Sequence, residues 1–479
     1  MRTPISVRMT AEHYRLLHNH LFPGDHDEHG AVLSLGSSET NRGTRLLVRD
    51  VFLAEDGVDY VPGTRGYRAL TASFVGEKAS YCAREKLGYL AVHCHGGRDT
   101  VAFSGDDMAS HERGYPALLQ ITQGLPVGAL VFAESAVAGD IWTEGARQAL
   151  ASLHVVGTRT TSLFPAPRSG AKRDPTYDRQ ARLFGDRGQE ILSGLKVGII
   201  GLGGGGSLLN EWLSRLGVGH IVGVDCDRVD LTNLPRIVAA TQWDARAFLQ
   251  ASSWALLRKL GQRLAAYKVT VGRRVAKQAN PRIRYDAIVG NIVDEEVALG
   301  LRDADFILLA ADSFQARLVF TALVNQYLIP GVQVGVKIPV DPGTGDVGTI
   351  SVSTRPVLPG ANNGCLSCHG LIPALRLQNE AVSEEERRAQ RYVDDEDVTA
   401  PSVITLNVQS AVQAANDLMM MFTGLYNEGV ELVHHQGEPR DRRLRHVGPT
   451  VDPSCSWCGS QPHSHFGRGD SVRLPCRLS

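Results

Sequence analysis

Leu195-Lys-Val-Gly-Ile-Ile-Gly-Leu-Gly-Gly-Gly-Gly-Ser207 is the stretch on which the fold turns. Leu195–Ile200 is a short apolar run of strand length. From Ser207 to Leu216 the apolar residues recur at helical spacing, with Leu208, Leu209, Trp212 and Leu213 on one face. Between strand and helix, Gly201, Gly203 and Gly206 satisfy a dinucleotide-type spacing, and Gly204 lies inside it. Without side chains, such a loop lets backbone N–H groups approach a phosphate at the positive end of a helix. Alone, it is as compatible with NAD or FAD as with ATP.

Working outward, His220–Val224 is the next strand, and Asp225-Cys-Asp227 follows at its end. Asp225 lies at a distance suited to gripping a ribose hydroxyl. Asn233-Leu-Pro-Arg236 then falls on a loop at the carboxyl edge of the sheet. An Ala/Leu-rich helical stretch with a break runs from about Asp244 to Ala279 and stops at Asn280-Pro281. Strands are expected at Ile283–Val289 and Phe306–Leu309, the latter followed by Asp312. Strands alternating with helices imply a mostly parallel, doubly wound, Rossmann-like sheet. A triphosphate under attack needs cations and a carboxylate to hold Mg²⁺. Arg179, Arg236 and Lys268 could supply the cations and Asp312 the carboxylate, a cluster for which a dehydrogenase has no need.

At these residues the chain resembles the ThiF/MoeB/HesA family, which includes the ubiquitin-activating enzymes. The resemblance spans about Tyr177 to Gly459 and rests on Tyr177-Asp-Arg-Gln180, the glycine loop, Asp225-Cys-Asp227 with Asn233-Leu-Pro-Arg236, the lysine before Asn280-Pro281, and Asp312. It implies adenylation of the C-terminal glycine of a ubiquitin-like or sulfur-carrier protein. Asp225 would bind ribose within a pocket that includes Asp227. Asn233, Arg236 and Lys268 would meet the phosphates, and Asp312 would hold Mg²⁺. Arg179 would reach a partner subunit's site, which implies a homodimer. An insertion from Gln242 to about Arg263 departs from the family pattern and leaves Arg273 and Lys277 as alternatives to Lys268.

Four of the eight cysteines form the pairs Cys365-Leu-Ser-Cys368 and Cys455-Ser-Trp-Cys458. Each pair can put two thiolates on one tetrahedral ion, and four soft ligands favour Zn²⁺. In the family that zinc is structural, and a closed four-thiolate site has no open position for catalysis. Members that pass the activated protein to a thiol keep a cysteine in the loop after the first pair. This chain has none between Cys368 and Cys455, so an external nucleophile, a sulfurtransferase or a separate conjugating enzyme is expected to receive the adenylate. Cys476, in a polar tail, is the one remaining candidate for a mobile thiol.

The N-terminal part reads as mixed α/β, with a helix near Ala11–Leu21 and strands at Ala31–Gly36, Leu46–Leu53, Tyr89–Val92, Val127–Ala133 and Ser152–Val156. His93-Cys-His95 ends a strand, so both imidazoles face one side and can share a metal. Ser104-Gly-Asp-Asp107 can add a third ligand, leaving one position for a water that zinc acidifies. Glu28 is placed to act as general base and Ser104 to stabilise an oxyanion. This pattern resembles the JAB/MPN (JAMM) metalloproteases, which cleave after the C-terminal glycine of ubiquitin-like proteins. Two departures stand out: Gly96 replaces the usual proline, and one extra residue precedes Ser104. The ligand is therefore Asp107 by spacing from the serine, or Asp106 by counting from His95. His111 and Glu112 read as surface residues, and Met419–Met421 and Trp212 as core.

The expected organisation is a JAB/MPN-like α/β domain over residues 1–157, a Thr/Ser/Pro-rich linker over 158–175, and the adenylyltransferase domain over 176–479. Ser383–Asp397 reads as a charged crossing loop. With 50 basic against 51 acidic residues, neither a nucleic-acid nor a membrane partner is expected. No signal-peptide core or bilayer-length apolar run is present, so a cytoplasmic location is expected. The rival readings are a non-catalytic N-terminal docking module with a small peptide substrate, and an NAD-dependent oxidoreductase.

Overall fold

The computed structural model describes residues 3–62, 66, 68–341, 343–360, 362, 364–381 and 401–477. The charged stretch Ser383–Asp397 lies outside them. The chain forms two compact units: residues 1–170 with 325–328 and 465–473, and residues 171–324 with 329–464 and 474–479.

In the first unit the order is β1 (Ile5–Thr10), α1 (Ala11–Leu21), β2 (Gly30–Thr40), β3 (Gly43–Leu53), α2 (Ala72–Glu85), β4 (Gly88–Cys94), α3 (Gly105–Ile121), β5 (Val127–Phe132), β6 (Val137–Thr143), β7 (Ala146–Ala149), β8 (Ser152–Val156) and β9 (Thr161–Leu163). These strands make one sheet in the order β7-β6-β5-β4-β2-β3-β1-β8-β9. Successive side chains of a strand face opposite ways. Thus Ala31 and Leu33 join a core with Leu17 and Leu21 of α1, whereas Val32 joins Phe74 and Tyr115 of α2 and α3 on the other face. Thr10, Thr71 and Ser104 start the three helices, each accepting a backbone N–H three residues on. The segment 158–175, expected as a linker, contributes β9, which pairs antiparallel with β8.

Residues 465–473, which the sequence reading puts in the second domain, complete this first unit. Gly469 bridges Ser37, and the Arg49 guanidinium donates to the Phe466 carbonyl. Tyr327 Oη donates to Asp470 Oδ1 at 3.1 Å, and Arg468 pairs with Glu85 at 2.9 Å. A Cβ on Gly36 would lie 2.0 Å from the Gly467 carbonyl oxygen, so this close approach requires glycine.

The second unit contains α4 (Asp178–Gly194), β10 (Lys196–Ile200), α5 (Gly204–Arg215), β11 (His220–Val224), α6 (Ala247–Gln250), α7 (Ala255–Leu264), α8 (Lys268–Ala279), β12 (Arg284–Ile288), α9 (Glu295–Leu299), β13 (Phe306–Leu309), α10 (Phe314–Gln326, which ends in the first unit), β14 (Gly331–Lys337), β15 (Ser351–Val357), α11 (Ala374–Ala381), α12 (Ile404–Thr423), β16 (His434–Glu438) and β17 (Arg443–Val447). Its eight-stranded sheet runs β12-β11-β10-β13-β14-β15-β16-β17. The first five strands are parallel and the last three antiparallel, so the sheet is mixed. From β10 the chain steps outward to β11 and β12, then returns to β13 and β14 on the other side. With right-handed crossovers, that reversal puts α5 and α8 on one face and α10 on the other. It also opens a crevice at the carboxyl ends of β10 and β13, where open α/β sheets bind ligands. Leu209 and Leu213 of α5 are fully buried against α8 and α12; full burial of such a side chain contributes about 1.5–3 kcal/mol. Trp212 and Met421 join the same core. The helical stretch expected from Asp244 to Ala279 is three helices, because the backbone is extended at Trp254 and again at Ala265 and Tyr267.

Candidate functional site

The glycine loop leaves β10 at Gly201, whose φ of +88° favours glycine. A Cβ on Gly206 would lie 1.8 Å from the Gly201 carbonyl oxygen, and one on Gly201 would lie 3.0 Å from the Ala311 nitrogen. The loop therefore folds tightly on itself and against the turn that carries Asp312. Gly203 precedes α5, and among the described residues no side chain caps the first N–H groups of that helix. Arg236 arrives from the other side, its carbonyl 3.7 Å from where a Gly204 Cβ would be. Its Nε is buried and has no hydrogen-bond partner among the described residues.

Asp225, at the end of β11, is buried and holds the loop. Its Oδ2 accepts from the Leu202 N–H at 2.7 Å, and its Oδ1 from the Asp227 N–H at 2.8 Å. Burial pushes this carboxyl up, opposed by Lys268 and by the two backbone donors. Lys268, first residue of α8, donates to Asp227 Oδ2 at 2.7 Å and lies 3.9 Å from Asp225 Oδ1. Among the three cations left open by the insertion, Lys268 stands at the aspartate pair, whereas Lys277 is turned to the Ile283 carbonyl. Asn233 is buried and shares a reciprocal cap with Asp230, which fixes the turn leading to Arg236. Asp312 is exposed, beyond the carboxyl end of β13. Arg179 is exposed on α4 and makes no hydrogen bond or ion pair with the loop among the described residues. A cation not anticipated from sequence is Arg317, in α10. Burial pushes its guanidinium down, while Asp312 and Glu380 act in the opposite direction. The one sequence clue was its position, five residues beyond Asp312.

The cysteine pairs converge. Cys365 Sγ lies 3.7 Å from Cys368 Sγ and 3.6 Å from Cys455 Sγ, and Cys368 Sγ lies 3.5 Å from Cys458 Sγ. Tetrahedral coordination with Zn–S near 2.3 Å separates the sulfurs by about 3.8 Å, so the cage fits that ion. Cys476 is half-buried beside Glu295 and Asp294, and burial pushes its thiol up to about 12. Half-burial beside two carboxylates makes this thiol a poorer nucleophile than a freely exposed one.

A second constellation lies in the first unit. His93 Nε2 and His95 Nε2 are 3.2 Å apart, and Asp107 approaches them at 3.5 and 3.4 Å. With metal–nitrogen bonds near 2.05 Å, tetrahedral ligands stand about 3.3 Å apart, so the three side chains fit a zinc-sized ion. The Asp106 alternative does not fit this cluster: Asp106 is exposed, whereas Asp107 is buried and faces both imidazoles. Burial alone would push Asp107 up, but hydrogen bonds from His93 and Ser104 hold it well below the usual range. Ser104 is the cap of α3, and its hydroxyl donates to Asp107 Oδ2 at 2.7 Å, so here it orients the ligand. His95 Nδ1 meets the Ala102 carbonyl at 3.1 Å, which leaves Nε2 toward the cluster. Glu28 Oε1 lies 3.8 Å from His95 Nε2, and burial pushes its carboxyl up. His111, expected at the surface, is buried and bonded to Asp140 at 2.9 Å. Glu112 is exposed and pairs with Arg147.

A glycine loop after β10 beside the Asp312 turn after β13, with Arg236 from the loop after β11 and Lys268 at the start of α8 nearby, is the arrangement of a nucleotide-binding α/β unit. The ThiF family model matches residues 177–436, more than half of the sequence, and the chain belongs to that family. It is 29% identical over 143 residues to the molybdopterin-synthase adenylyltransferase of Haemophilus influenzae, covering 30% of this chain and 51% of that protein. With the sulfur carrier protein ThiS adenylyltransferase of Bacillus subtilis it shares 26% over 293 residues, covering 60% of this chain and 71% of the relative. The first of these relatives is thus spanned over about half its length. Among solved structures, Escherichia coli MccB with ATP is similar at 20% identity and a TM-score of 0.43, over 61% of this chain and 76% of that one. No helix among the described residues is long and apolar enough to cross a membrane.

Proposed function

We propose that this chain uses ATP to adenylate a C-terminal carboxylate, that of a ubiquitin-like or sulfur-carrier protein ending in glycine. The observation that carries the reading is what surrounds the glycine loop: Ala311, next to Asp312, is 3.0 Å from where a Gly201 Cβ would be, the Arg236 carbonyl is 3.7 Å from where a Gly204 Cβ would be, and Lys268 is 3.9 Å from the Asp225 carboxylate that holds Leu202. A carboxylate oxygen attacks the α-phosphorus, the bond to the bridging oxygen breaks, and pyrophosphate leaves with both electrons of that bond. The chain's part is to hold the reactants in line and to neutralise charge on the leaving group. N–H groups at the start of α5 cradle phosphate, Arg236 supplies an Nε–H that has no partner among the described residues, and Lys268 exchanges its aspartate for a phosphate oxygen. Asp312 is the residue that would hold Mg²⁺, which when bound would supply positive charge to offset that of the phosphates. Arg179, exposed on α4, is the group to serve a second subunit's site in a homodimer. The four-cysteine cage is proposed as a structural zinc site.

The test is ATP–pyrophosphate exchange with proteins ending in Gly-Gly. Asp312→Ala is expected to lose exchange by about 100-fold or more, with Tm unchanged because the side chain is exposed. Unchanged exchange in that variant removes Asp312 from the site.

A second activity has its own support in the His93, His95 and Asp107 cluster, with Glu28 at 3.8 Å. Those ligands would hold zinc, which supplies an acidified water when bound. Glu28, with its raised carboxyl, is positioned to accept that proton, and Ser104 keeps Asp107 ionised and aimed. The proposed reaction is hydrolysis after the C-terminal glycine of the same carrier protein. Cleavage of a carrier extended beyond its glycine, lost in Glu28→Gln, is the expected result. Cleavage retained in that variant refutes it.

A further inference from the structure

The insertion from Gln242 to about Arg263 builds α6 and α7, and residues 243–264 carry an apolar face that no part of the described protein covers. Trp243, Phe248, Trp254, Leu256, Leu260 and Leu264 are all exposed, from 44% at Leu260 to 79% at Leu256. Leu256, Leu260 and Leu264 recur every four residues, a single stripe along α7. The fold holds this face in place. Gly261 lets α7 press onto α6, where a Cβ would lie 2.8 Å from that of Leu249. Trp243 stacks on Phe248 with centroids 6.0 Å apart, and Arg246 lies over Trp243 while donating to the Leu264 carbonyl. With aromatic side chains of about 150–250 Å², the exposed area is roughly 700 Å². That exceeds the roughly 300–600 Å² of an ordinary monomer's largest patch and approaches the ~800 Å² one partner gives to a stable interface.

Charge identifies the occupant. From residue 245 to 285 the sequence has ten Lys and Arg and no Asp or Glu, in a chain that is otherwise balanced. Lys259 and Arg263 flank the leucine stripe on one side, and neither makes an ion pair among the described residues. A second copy docked face to face would bring these cations against themselves, and like charges across an interface cost several kcal/mol. Aliphatic leucines do not stack on bases, which disfavours a nucleic acid. Position favours a protein substrate. Leu264 is four residues from Lys268, at most about 14 Å of chain, so an extended tail of about four to six residues from a protein docked on α7 reaches the nucleotide crevice.

We propose that α6 and α7 are the docking surface for the globular body of the carrier protein, through a face that combines apolar side chains with Asp and Glu. This rests on the adenylation reading and names how its protein substrate is held. The probe is a fluorescently labelled, acidic sulfur-carrier protein ending in Gly-Gly, titrated with the full-length chain at low and high salt. Leu256→Asp with Leu260→Asp, and separately Lys259→Glu with Arg263→Glu, are each expected to weaken Kd at least tenfold, with an unchanged Tm. Added salt is expected to weaken binding by the wild type and to change the charge-reversed variant less. Pyrophosphate exchange at saturating carrier is expected to stay within twofold of wild type in both variants. An unchanged Kd in both overturns the proposal, as does a wild type that does not bind the carrier. So does a variant that binds carrier normally but has lost dimerisation, or binding to phosphatidylglycerol vesicles or tRNA. Carrier binding by a wild type that exchanges no pyrophosphate refutes adenylation and leaves the docking surface standing.

Discussion

Asp225→Ala separates two roles that the sequence alone merges. A ribose ligand would be dispensable to the empty protein. In the structure, however, both carboxylate oxygens accept backbone N–H groups, from Leu202 in the glycine loop and from Asp227. Hydrogen bonds to a charged acceptor contribute about 1.5–3 kcal/mol each, and the site is buried, so the freed donors find no water. Losing both should cost about 3–6 kcal/mol. At roughly 2–4 °C per kcal/mol for a unit of this size, the unfolding transition of the second unit falls by roughly 6–24 °C. The assay is thermal unfolding without nucleotide, followed by far-UV circular dichroism, beside Asp312→Ala as an exposed control. Asp225→Asn keeps one acceptor and turns an amide N–H₂ toward the other donor, so it should fall between wild type and alanine. An Asp225→Ala protein that melts within 1 °C of wild type refutes the latch and returns Asp225 to a purely ligand-binding role.

Other outcomes follow from the same geometry. Gly206→Ala brings a Cβ to within 1.8 Å of the Gly201 carbonyl and should open the phosphate loop, weakening ATP binding at least tenfold by calorimetry; unchanged affinity refutes the cradle. The protein should bind two zinc ions per chain by elemental analysis, with Cys365→Ser losing one together with several degrees of Tm and His95→Ala losing only the other; a wild type with a single zinc lost in Cys365→Ser refutes the histidine site. Asp244 accepts from Arg274 and Thr241, and those bonds hold its carboxyl down at about 2. Its contribution is therefore complete above the ordinary carboxylate value and disappears as pH falls from about 4 to about 2. Asp244→Asn should lower stability by about 2 kcal/mol at pH 7 and flatten the acid limb of the unfolding curve in that window; an unchanged acid limb refutes the pairing.

Much of this was legible because spacing alone placed it. Strand, glycine loop and helix fell where Lys196–Ile200 and Gly204–Arg215 form, and the cysteine pairs meet as their Cys-x-x-Cys spacing implies. What escaped was long-range. No local pattern says that residues 465–473 belong with the first unit, because the contacts are backbone bridges and arginine bonds with no periodicity. The antiparallel end of the second sheet escaped because β16 and β17 are polar, built on histidines and arginines rather than on an apolar alternation. His111 read as surface because a histidine in a charged helix is usually solvated, and its acceptor, Asp140, is 29 residues away on β6. Asp106 and Asp107 could be separated only by the helix that Ser104 caps, which turns one carboxylate toward the imidazoles and the other to water.

The return of residues 465–473 to the opening sheet constrains how the polypeptide is made. During synthesis, Gly36 and Arg49 emerge more than 400 residues before their partners Gly467 and Phe466. The end of β2 that runs past its pairing with β4, from Gly36 to Thr40, must wait uncovered on that side while the second unit is translated and folds. Sheet edges held open for that long invite pairing with other chains. Cleaving the gene at the apparent border would therefore yield an N-terminal fragment without its closing clasp, and supplying residues 465–473 as a separate peptide is the natural way to rescue it.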